Sequence, residues 1–193
     1  LFDYISNQVV VQLSYHTFSH AATKCIVFHP YLLKQYNNRW YLIGAADTDG
    51  KILNFAIDRL DKVDALPEHI YKKCTQDLEE RFEDILGVTL YADRPHSHIV
   101  FWVSDASKDY ILTKPIHETQ TMLRGEKDTA MREAHPNLSE GVFFSIDCIE
   151  NYELIRELTS FGKDLIVLQP REIQDKVYER ISSMMENYSR ART

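Results

Sequence analysis

The segment that decides the fold of the first part of the chain is Phe28-His29-Pro30-Tyr31-Leu32-Leu33-Lys34-Gln35-Tyr36-Asn37-Asn38-Arg39-Trp40-Tyr41-Leu42-Ile43-Gly44. Asn37-Asn38 lies between two runs rich in aromatic and aliphatic residues, and asparagine tolerates the positive φ angles that a tight hairpin turn requires. The segment therefore predicts a β-hairpin. A second hairpin is predicted around Asp49-Gly50, because glycine adopts a positive φ angle at little steric cost.

Further strands are predicted on both sides of this hairpin. Apolar and polar residues alternate from Val9 to His16, the pattern of a strand that buries one face. After a loop at Ser19 to Thr23, the next strand is interrupted at Pro30, because proline cannot donate a ladder hydrogen bond, and a bent or bulged edge strand is expected there. Other strands are predicted at residues 24–28, 39–45, 53–58 and 62–66. Five short antiparallel strands in about 65 residues favour a small barrel, because closure removes the exposed edges.

The periodicity changes after Pro67, where a linking helix is predicted. Thr75 is its expected N-cap, and Gly87 stands where a left-handed residue ends a helix. The buried stripe of this helix comprises Leu78, Phe82, Ile85 and Leu86.

Strands and helices alternate in the last part of the chain. The run from Ile99 to Val103 is too apolar for a solvated face and predicts a central strand. Asn151 is the expected N-cap of one helix, which Gly162 ends, and Pro170 opens the final helix. The other expected elements are a helix at 104–111, a strand-like segment at 117–124, a polar loop at 125–140 and strands at 142–148 and 165–168. This order predicts a ferredoxin-like split βαβ arrangement.

Charge and cysteine content narrow the classes of function. The chain has 193 residues and a net charge of −7, and residues 1–66 hold six basic and six acidic residues, so the remainder carries the whole excess of acid. This is not the basic surface of a module that binds duplex DNA through its phosphates. The three cysteines form no CxxC pair and predict neither a disulfide framework nor a zinc site. No apolar run is long enough to span a bilayer, and a cytoplasmic location is expected.

Motifs for catalysis or metal binding are incomplete. His117-Glu118 begins an HExxH zinc motif, but Thr121 stands where the second histidine is needed. His96 and His98 share a strand face without a third ligand in register. Asp47 to Gly50 resembles the start of a calcium loop, but the glycine comes too early, so a turn is predicted. No enzymatic activity, cofactor or metal is predicted.

The first part of the chain does combine cationic and aromatic side chains. Bases stack on aromatic rings and arginine binds phosphate in a fork geometry, so this combination suits a nucleotide or a single-stranded nucleic acid. The predicted ligand-binding residues are His29, Tyr31, Lys34, Arg39, Tyr41 and Arg59.

Structural roles compete with this interpretation. Trp40 and Leu42 share a strand face opposite Tyr41, so one of the two aromatic residues is expected in the core. Arg59 next to Asp58 suits an ion pair within the fold. His29 suits the capping of a bulge, and Tyr15 continues the apolar face of the first strand and is expected in the core.

The order Tyr15, His29-Pro30, Arg39-Trp40-Tyr41-Leu42 and Asp58-Arg59 resembles the WYL domain, which is named for the tripeptide. The resemblance implies an Sm-like, SH3-type barrel. It also implies a bacterial transcription regulator in which the barrel senses a ligand, for some members single-stranded DNA or a nucleotide, behind an N-terminal winged helix-turn-helix. His29, Arg39, Tyr41 and Arg59 stand at matching motif positions.

The second half is similar to the C-terminal extension of such regulators, in Phe161-Gly162, in the run from Leu165 to Pro170 and in the segment from Lys114 to Gln120. The expected protein is α+β, with a WYL barrel at 1–67, a linker with a helix at 68–97 and a ferredoxin-like extension at 98–193. Because Leu1 is not an initiator methionine, we expect a missing N-terminal segment through which DNA would be bound.

Assembly can be predicted on the same basis. Regulators that read paired half-sites are dimers, so a homodimer is expected, and Met184 and Met185 on the last helix offer a candidate surface. The alternative is an assembly module whose barrel docks a peptide in an aromatic groove and binds no small ligand.

Overall fold

The structure is a computed structural model that describes residues 1–17, 20–91 and 93–192, with the side chains of residues 20–22 left out. The chain divides into two compact units, residues 1–80 and residues 81–193. Each unit has its own antiparallel sheet. The protein is therefore a mixed α and β protein, as the sequence predicts.

The first unit contains a five-stranded sheet of order β4-β3-β2-β1-β5. A short helix precedes the sheet, and a 3-10 turn at Ile57–Arg59 separates β4 from β5. The elements are α1 (Phe2–Ser6), β1 (Val11–Thr17), β2 (His20–Tyr36), β3 (Arg39–Ala46), β4 (Ile52–Ala56) and β5 (Leu60–Ala65). The sequence pattern gave no sign of α1, since five residues are too few for a helical period to be read.

Among the described residues, the strand pairing does not close this sheet into a barrel, because β4 and β5 are its two edges. The predicted closed barrel is therefore not observed. The sheet instead depends on β2, whose first half pairs with β1 and whose second half pairs with β3, with Phe28 in both ladders. The loop predicted at 19–23 belongs largely to β2, which begins at His20, while Ser19 lies outside the described residues.

Pro30 lies at a bulge, as predicted, because the register of β2 with β3 shifts between Pro30 and Leu32. The prediction of an edge strand is wrong, since β2 is the central strand. Pro30 is tolerated there because the ladder with β1 has already ended at Phe28. Gly44 pairs with Pro30, and a Cβ atom on Gly44 would lie 2.1 Å from the carbonyl oxygen of His29.

The core of the first unit contains three buried side chains from β1 and one each from β2, β3 and β4. Tyr15 is among them, which confirms that it is a core residue. The buried residues of this cluster are Val11, Leu13, Tyr15, Phe28, Leu42 and Phe55.

The helix α2 (Leu78–Glu83) begins after Asp77, whose carboxylate accepts hydrogen bonds from the backbone N–H groups of Glu79 and Glu80 at 3.0 and 3.2 Å. Asp77 therefore fills the capping role predicted for Thr75. Threonine and aspartate can both cap a helix, and only the conformation of the turn decides which side-chain oxygen reaches the free backbone N–H groups.

The second unit contains a four-stranded sheet of order β7-β8-β6-β9, in which all neighbours are antiparallel. The polar loop predicted at 125–140 is wrong, because α4 lies within it. Its nine residues are mostly charged and only Met131 is buried, so the apolar period was too weak to read. The elements are β6 (His96–Ser104), α3 (Asp105–Thr113), β7 (Thr121–Met122), α4 (Glu126–Ala134), β8 (Gly141–Ile149), α5 (Tyr152–Ser160), β9 (Leu165–Gln169) and α6 (Arg171–Ala191).

Apolar clusters lie on both faces of this sheet. Alternate residues of β6 contribute to them: Ile99, Phe101 and Val103 belong to the larger cluster, and Val100 and Trp102 to the smaller. This explains why the run is continuously apolar, since both faces of a central strand are covered.

Candidate ligand site

The β2–β3 hairpin places three of the predicted ligand-binding residues near its turn. Lys34 is directly opposite Tyr41, and Arg39 opens β3. Leu42 belongs to the core, and successive residues of a strand face opposite sides. Lys34, Arg39 and Tyr41 are therefore on the sheet face opposite Leu42.

A group of charged and aromatic side chains, here called the arginine patch, comprises Tyr15, Arg39, Asp58 and Arg59. The Arg39 guanidinium lies 3.1 Å from the Asp58 carboxylate. The Arg59 guanidinium donates two hydrogen bonds to the backbone carbonyl of His16, at 3.1 and 2.8 Å, and lies 4.6 Å from the centroid of the Tyr15 ring. Asp58 thus forms an ion pair with Arg39.

The other members of the arginine patch affect the pKa of the Tyr15 hydroxyl. Burial raises its pKa above the ordinary value, while Arg59 and, more weakly, Arg39 act in the opposite direction. The phenol therefore remains protonated at neutral pH and can donate a hydrogen bond. Its ring is also in edge contact with Phe55, with centroids 4.8 Å apart. The patch thus places two guanidinium groups beside a buried aromatic ring, and guanidinium groups are suited to binding phosphate.

The other predicted residues, His29 and Tyr31, belong to a second group near the Pro30 bulge. His29 is only 1% exposed, its Nε2 lies 3.0 Å from the Asp47 carboxylate, and its Nδ1 accepts the backbone N–H of Lys72 at 3.2 Å. Because Nδ1 is an acceptor, the proton of the neutral ring is assigned to Nε2, which donates to Asp47. The Tyr31 hydroxyl donates to the carbonyl of Lys72 at 3.0 Å.

The six predicted residues therefore do not converge on one cavity. His29 pairs with Ala45, whereas Arg39 is six positions earlier on β3, so the two groups are roughly 20 Å apart along the strand. One group contains Lys34, Arg39, Tyr41 and Arg59, and the other contains His29 and Tyr31.

Sequence reasoning missed three residues of the second group. Asp47, Tyr71 and Lys72 meet His29 although they lie 18 to 43 positions away in the chain. The Tyr71 ring is 5.7 Å from the His29 ring, and Lys72 Nζ is 2.6 Å from the Asp47 carboxylate. No period or motif links such distant residues, so no signal in the sequence could have found them.

The expectation that either Trp40 or Tyr41 is a core residue is wrong. Trp40 is 49% exposed, and Tyr41 is only partly buried and belongs to none of the core clusters. Both lie near the start of β3, where the strand extends past the core that Leu42 joins.

The histidines of the incomplete metal motifs in the second unit contact neighbouring side chains of the fold. His117 is buried and its Nδ1 lies 2.8 Å from the Thr119 hydroxyl. His96 and His98 contact different carboxylates, Asp84 and Asp147. Over residues 1–17, 20–91 and 93–192, no group of three His, Cys, Asp or Glu residues is arranged to hold a metal ion. Within the same ranges, no helix is both long and apolar enough to cross a membrane.

The lowered pKa of Asp47 predicts how acid affects the stability that the second group provides. The hydrogen bond from Lys72, and next the one from His29, hold the pKa of Asp47 below its ordinary value of 3.8. The pairing therefore stabilises the fold above that pH, and this contribution is lost as the pH falls through the lowered pKa. We expect Asp47→Asn to flatten the dependence of unfolding free energy on pH below 3.8, measured by urea unfolding at a series of pH values.

The matched control is Asp3→Asn, which also removes one exposed carboxylate and leaves the Asp47 pairing in place. The loss of stability in acid that the Asp47 pairing causes should persist in this control. Parallel curves for Asp47→Asn and the unmodified protein would show that the pairing contributes nothing.

Two family models match the chain, one in each of its parts. A family model of the WYL domain matches residues 1–65, and a family model of the WCX domain matches residues 96–185. No curated protein matches the chain.

Solved structures similar to this chain include the following two. Proteasome accessory factor B/C (PafBC) of Arthrobacter aurescens is 16% identical, with 93% of this chain and 25% of that chain covered and a TM-score of 0.38. A CRISPR Cas-related protein is 11% identical, with 98% and 50% covered and a TM-score of 0.53, a likeness of fold alone. The chain thus spans a quarter of the length of the first protein and half of the second.

Proposed function

Because this chain belongs to the WYL-domain family and carries a WCX domain after its WYL domain, we propose that it is the sensing part of a bacterial transcription regulator. The first unit binds a nucleotide or a short single-stranded nucleic acid, and the bound state is signalled to a DNA-binding domain outside this sequence. Signalling of this kind requires that the ligand bind two arrangements of the protein with different affinity.

The arginine patch is the observation that carries this proposal. The Arg39 side chain is 43% exposed, and Lys34 and Tyr41 lie on the same face of the sheet, so two cations and an aromatic ring face the same side. Asp58 holds the Arg39 guanidinium in place, and a phosphate group could compete for it.

We also propose a fold class for each unit and the bounds of the domains. We assign the first unit to the Sm-like, SH3-type class, which is supported by the strand order and by the 3-10 turn joining its two edge strands. We assign the second unit to the ferredoxin-like class, because the order β7-β8-β6-β9 is that of a split βαβ repeat. The proposed domains are 1–67, a linker at 68–97, and 98–193.

We further propose a non-catalytic, cytoplasmic homodimer. Met184 and Met185 are 47% and 68% exposed on α6, which supports that helix as a contact surface. Sedimentation of the protein with and without Met184→Lys tests this, and a monomer in both samples would contradict it.

The ligand proposal is tested with a labelled single-stranded oligonucleotide and fluorescence anisotropy. We expect Arg39→Ala to weaken binding about tenfold, because each charge-assisted contact contributes roughly 1.5–3 kcal/mol. Arg59→Ala should weaken it as well, but this arginine also supports the His16 carbonyl, so its unfolding midpoint must be measured in parallel.

The matched control is Lys51→Ala, which also removes one exposed cation but lies at the β3–β4 turn, away from the patch. It should bind as the unmodified protein does. Phosphate contacts also make the affinity fall steeply with salt. Binding that is insensitive to salt and to both arginines would favour the peptide-docking module instead.

A further inference from the structure

We propose that residues Tyr71 and Lys72, here called the latch, inhibit ligand binding by occupying the place of a nucleobase in the second group, beside His29 and roughly 20 Å along the strand from Arg39. This inference rests on the proposed function and adds its regulation. The latch must leave before a base can enter this part of the site.

The latch is held almost entirely by side-chain hydrogen bonds. The Tyr71 hydroxyl donates to the carbonyl of Pro30 at 2.6 Å, and the Tyr31 hydroxyl donates to the carbonyl of Lys72 at 3.0 Å. Lys72 also donates its backbone N–H to His29 and its ammonium to the carboxylate and the carbonyl of Asp47, the last at 3.1 Å. The segment from residue 67 to residue 77 contains no helix or strand that would fix it otherwise.

The groups that the latch engages are those that recognise a base. His29 Nδ1 accepts an N–H, Tyr31 donates to a carbonyl, and Asp47 accepts from a cationic or amino group. A base such as guanine offers an N–H, a carbonyl and an amino group along one edge. The peptide groups and the ammonium of Lys72 thus present the same three functions, and the Tyr31 ring, with its centroid 6.1 Å from that of Tyr71, borders the position.

Both phenols remain donors at neutral pH. Burial raises the pKa of Tyr31 to about 12 and raises the pKa of Tyr71 as well. The hydrogen bonds that the two hydroxyls donate to Lys72 and Pro30 are therefore not lost by ionisation at neutral pH.

The segment that carries the latch is weakly anchored. Lys72 is exposed, and the preceding Ile70 is 88% exposed, whereas the Tyr71 ring is half-buried against the rings of His29 and Tyr31. No residue of this segment belongs to the core cluster of the first unit. Release of the latch therefore costs the contacts of one tyrosine ring and a few hydrogen bonds, which a base in its place could replace.

The test compares the unmodified chain with the variant Tyr71→Phe/Lys72→Met, which removes the bonds to Pro30 and Asp47 and keeps the chain length. We expect this variant to bind the labelled oligonucleotide about three- to tenfold more tightly, because a larger fraction of it is competent to bind. Hydrogen exchange at the amides of residues 70–73 should be faster in the variant. In the unmodified protein, the same amides should exchange faster once the oligonucleotide is bound.

Lys73→Met is the matched control, since it removes a neighbouring exposed lysine charge and leaves the latch bonds in place. It should show the affinity and exchange of the unmodified protein. Competition on the latch variant should be stronger for guanosine monophosphate than for adenosine monophosphate. Equal competition by the two nucleotides would overturn the base assignment.

The remaining outcomes separate this inference from the proposed function. Binding to the unmodified protein that leaves amides 70–73 protected, with no gain in the latch variant, overturns the latch and leaves the sensing role intact. Absence of binding in every variant overturns both. Binding only by the latch variant supports both.

Discussion

Replacement of Gly44 by alanine is expected to destabilise the first unit by about 3 kcal/mol or more, because a new side-chain atom would collide with backbone. A Cβ atom at this position would lie 2.1 Å from the His29 carbonyl oxygen and 2.6 Å from the Phe28 ring. Neither neighbour can move freely, since Phe28 is fully buried and His29 is held by Asp47 and Lys72. Hydrogen exchange of the β2 and β3 amides in urea measures the loss.

The matched control is Gly50→Ala. Gly50 has a φ angle of +67° but nothing within 4 Å of its Cβ position, so only backbone strain of about 1 kcal/mol is expected. A Gly44→Ala variant no less stable than Gly50→Ala would contradict the close approach of β3 to the Pro30 bulge. It would also weaken the structural basis for placing His29 against the latch.

Replacement of Asn151 by alanine is expected to destabilise the second unit by about 3 kcal/mol, because it removes a helix cap and leaves two partly buried carbonyls without their side-chain donor. Asn151 is fully buried, its Oδ1 accepts the backbone N–H of Leu154 at 2.9 Å, and its amide donates to the carbonyls of Leu86 and Thr89 at 2.7 and 3.2 Å. Urea unfolding followed by the fluorescence of the buried Trp102 reports on this unit.

Asn151→Ser separates the two roles. Serine retains an oxygen that can cap α5 but has no amide to reach Leu86 and Thr89, so an intermediate loss is expected. Equal stability of the serine variant and the unmodified protein would show that the cap alone matters. A serine variant as unstable as the alanine variant would assign the whole effect to the amide bonds.

The family could be recognised from the sequence because its signals are local. The expected turns are present, with positive φ angles at Asn37, Asn38 and Gly50, and Asn151 caps its helix as predicted. Each of these features depends on residues within a few positions of one another, where side-chain type fixes the backbone. The apolar alternation of β1 and the continuous run in β6 likewise follow from which strand faces are buried.

Predictions were wrong where the structure depends on residues far apart in the sequence or where the apolar periodicity of a helix is weak. Asp77 rather than Thr75 caps α2, and α4 replaces a predicted loop, because neither residue type nor composition alone distinguishes these alternatives. The closed barrel was not found because strand closure depends on where β4 and β5 lie, which no local pattern encodes.

The sequence by itself determined the two hairpin turns, the Asn151 cap, most of the strands and the family, since local sterics and burial patterns specify them. Only the tertiary structure decided which charged residues meet. It placed Arg39 on Asp58 and Arg59 on the His16 carbonyl, and it separated both from His29, which Lys72 covers from 43 positions away. The physical reason is that hydrogen bonds and ion pairs act over a few ångströms in space, and the folding of β2 against β1 and β3 sets those distances.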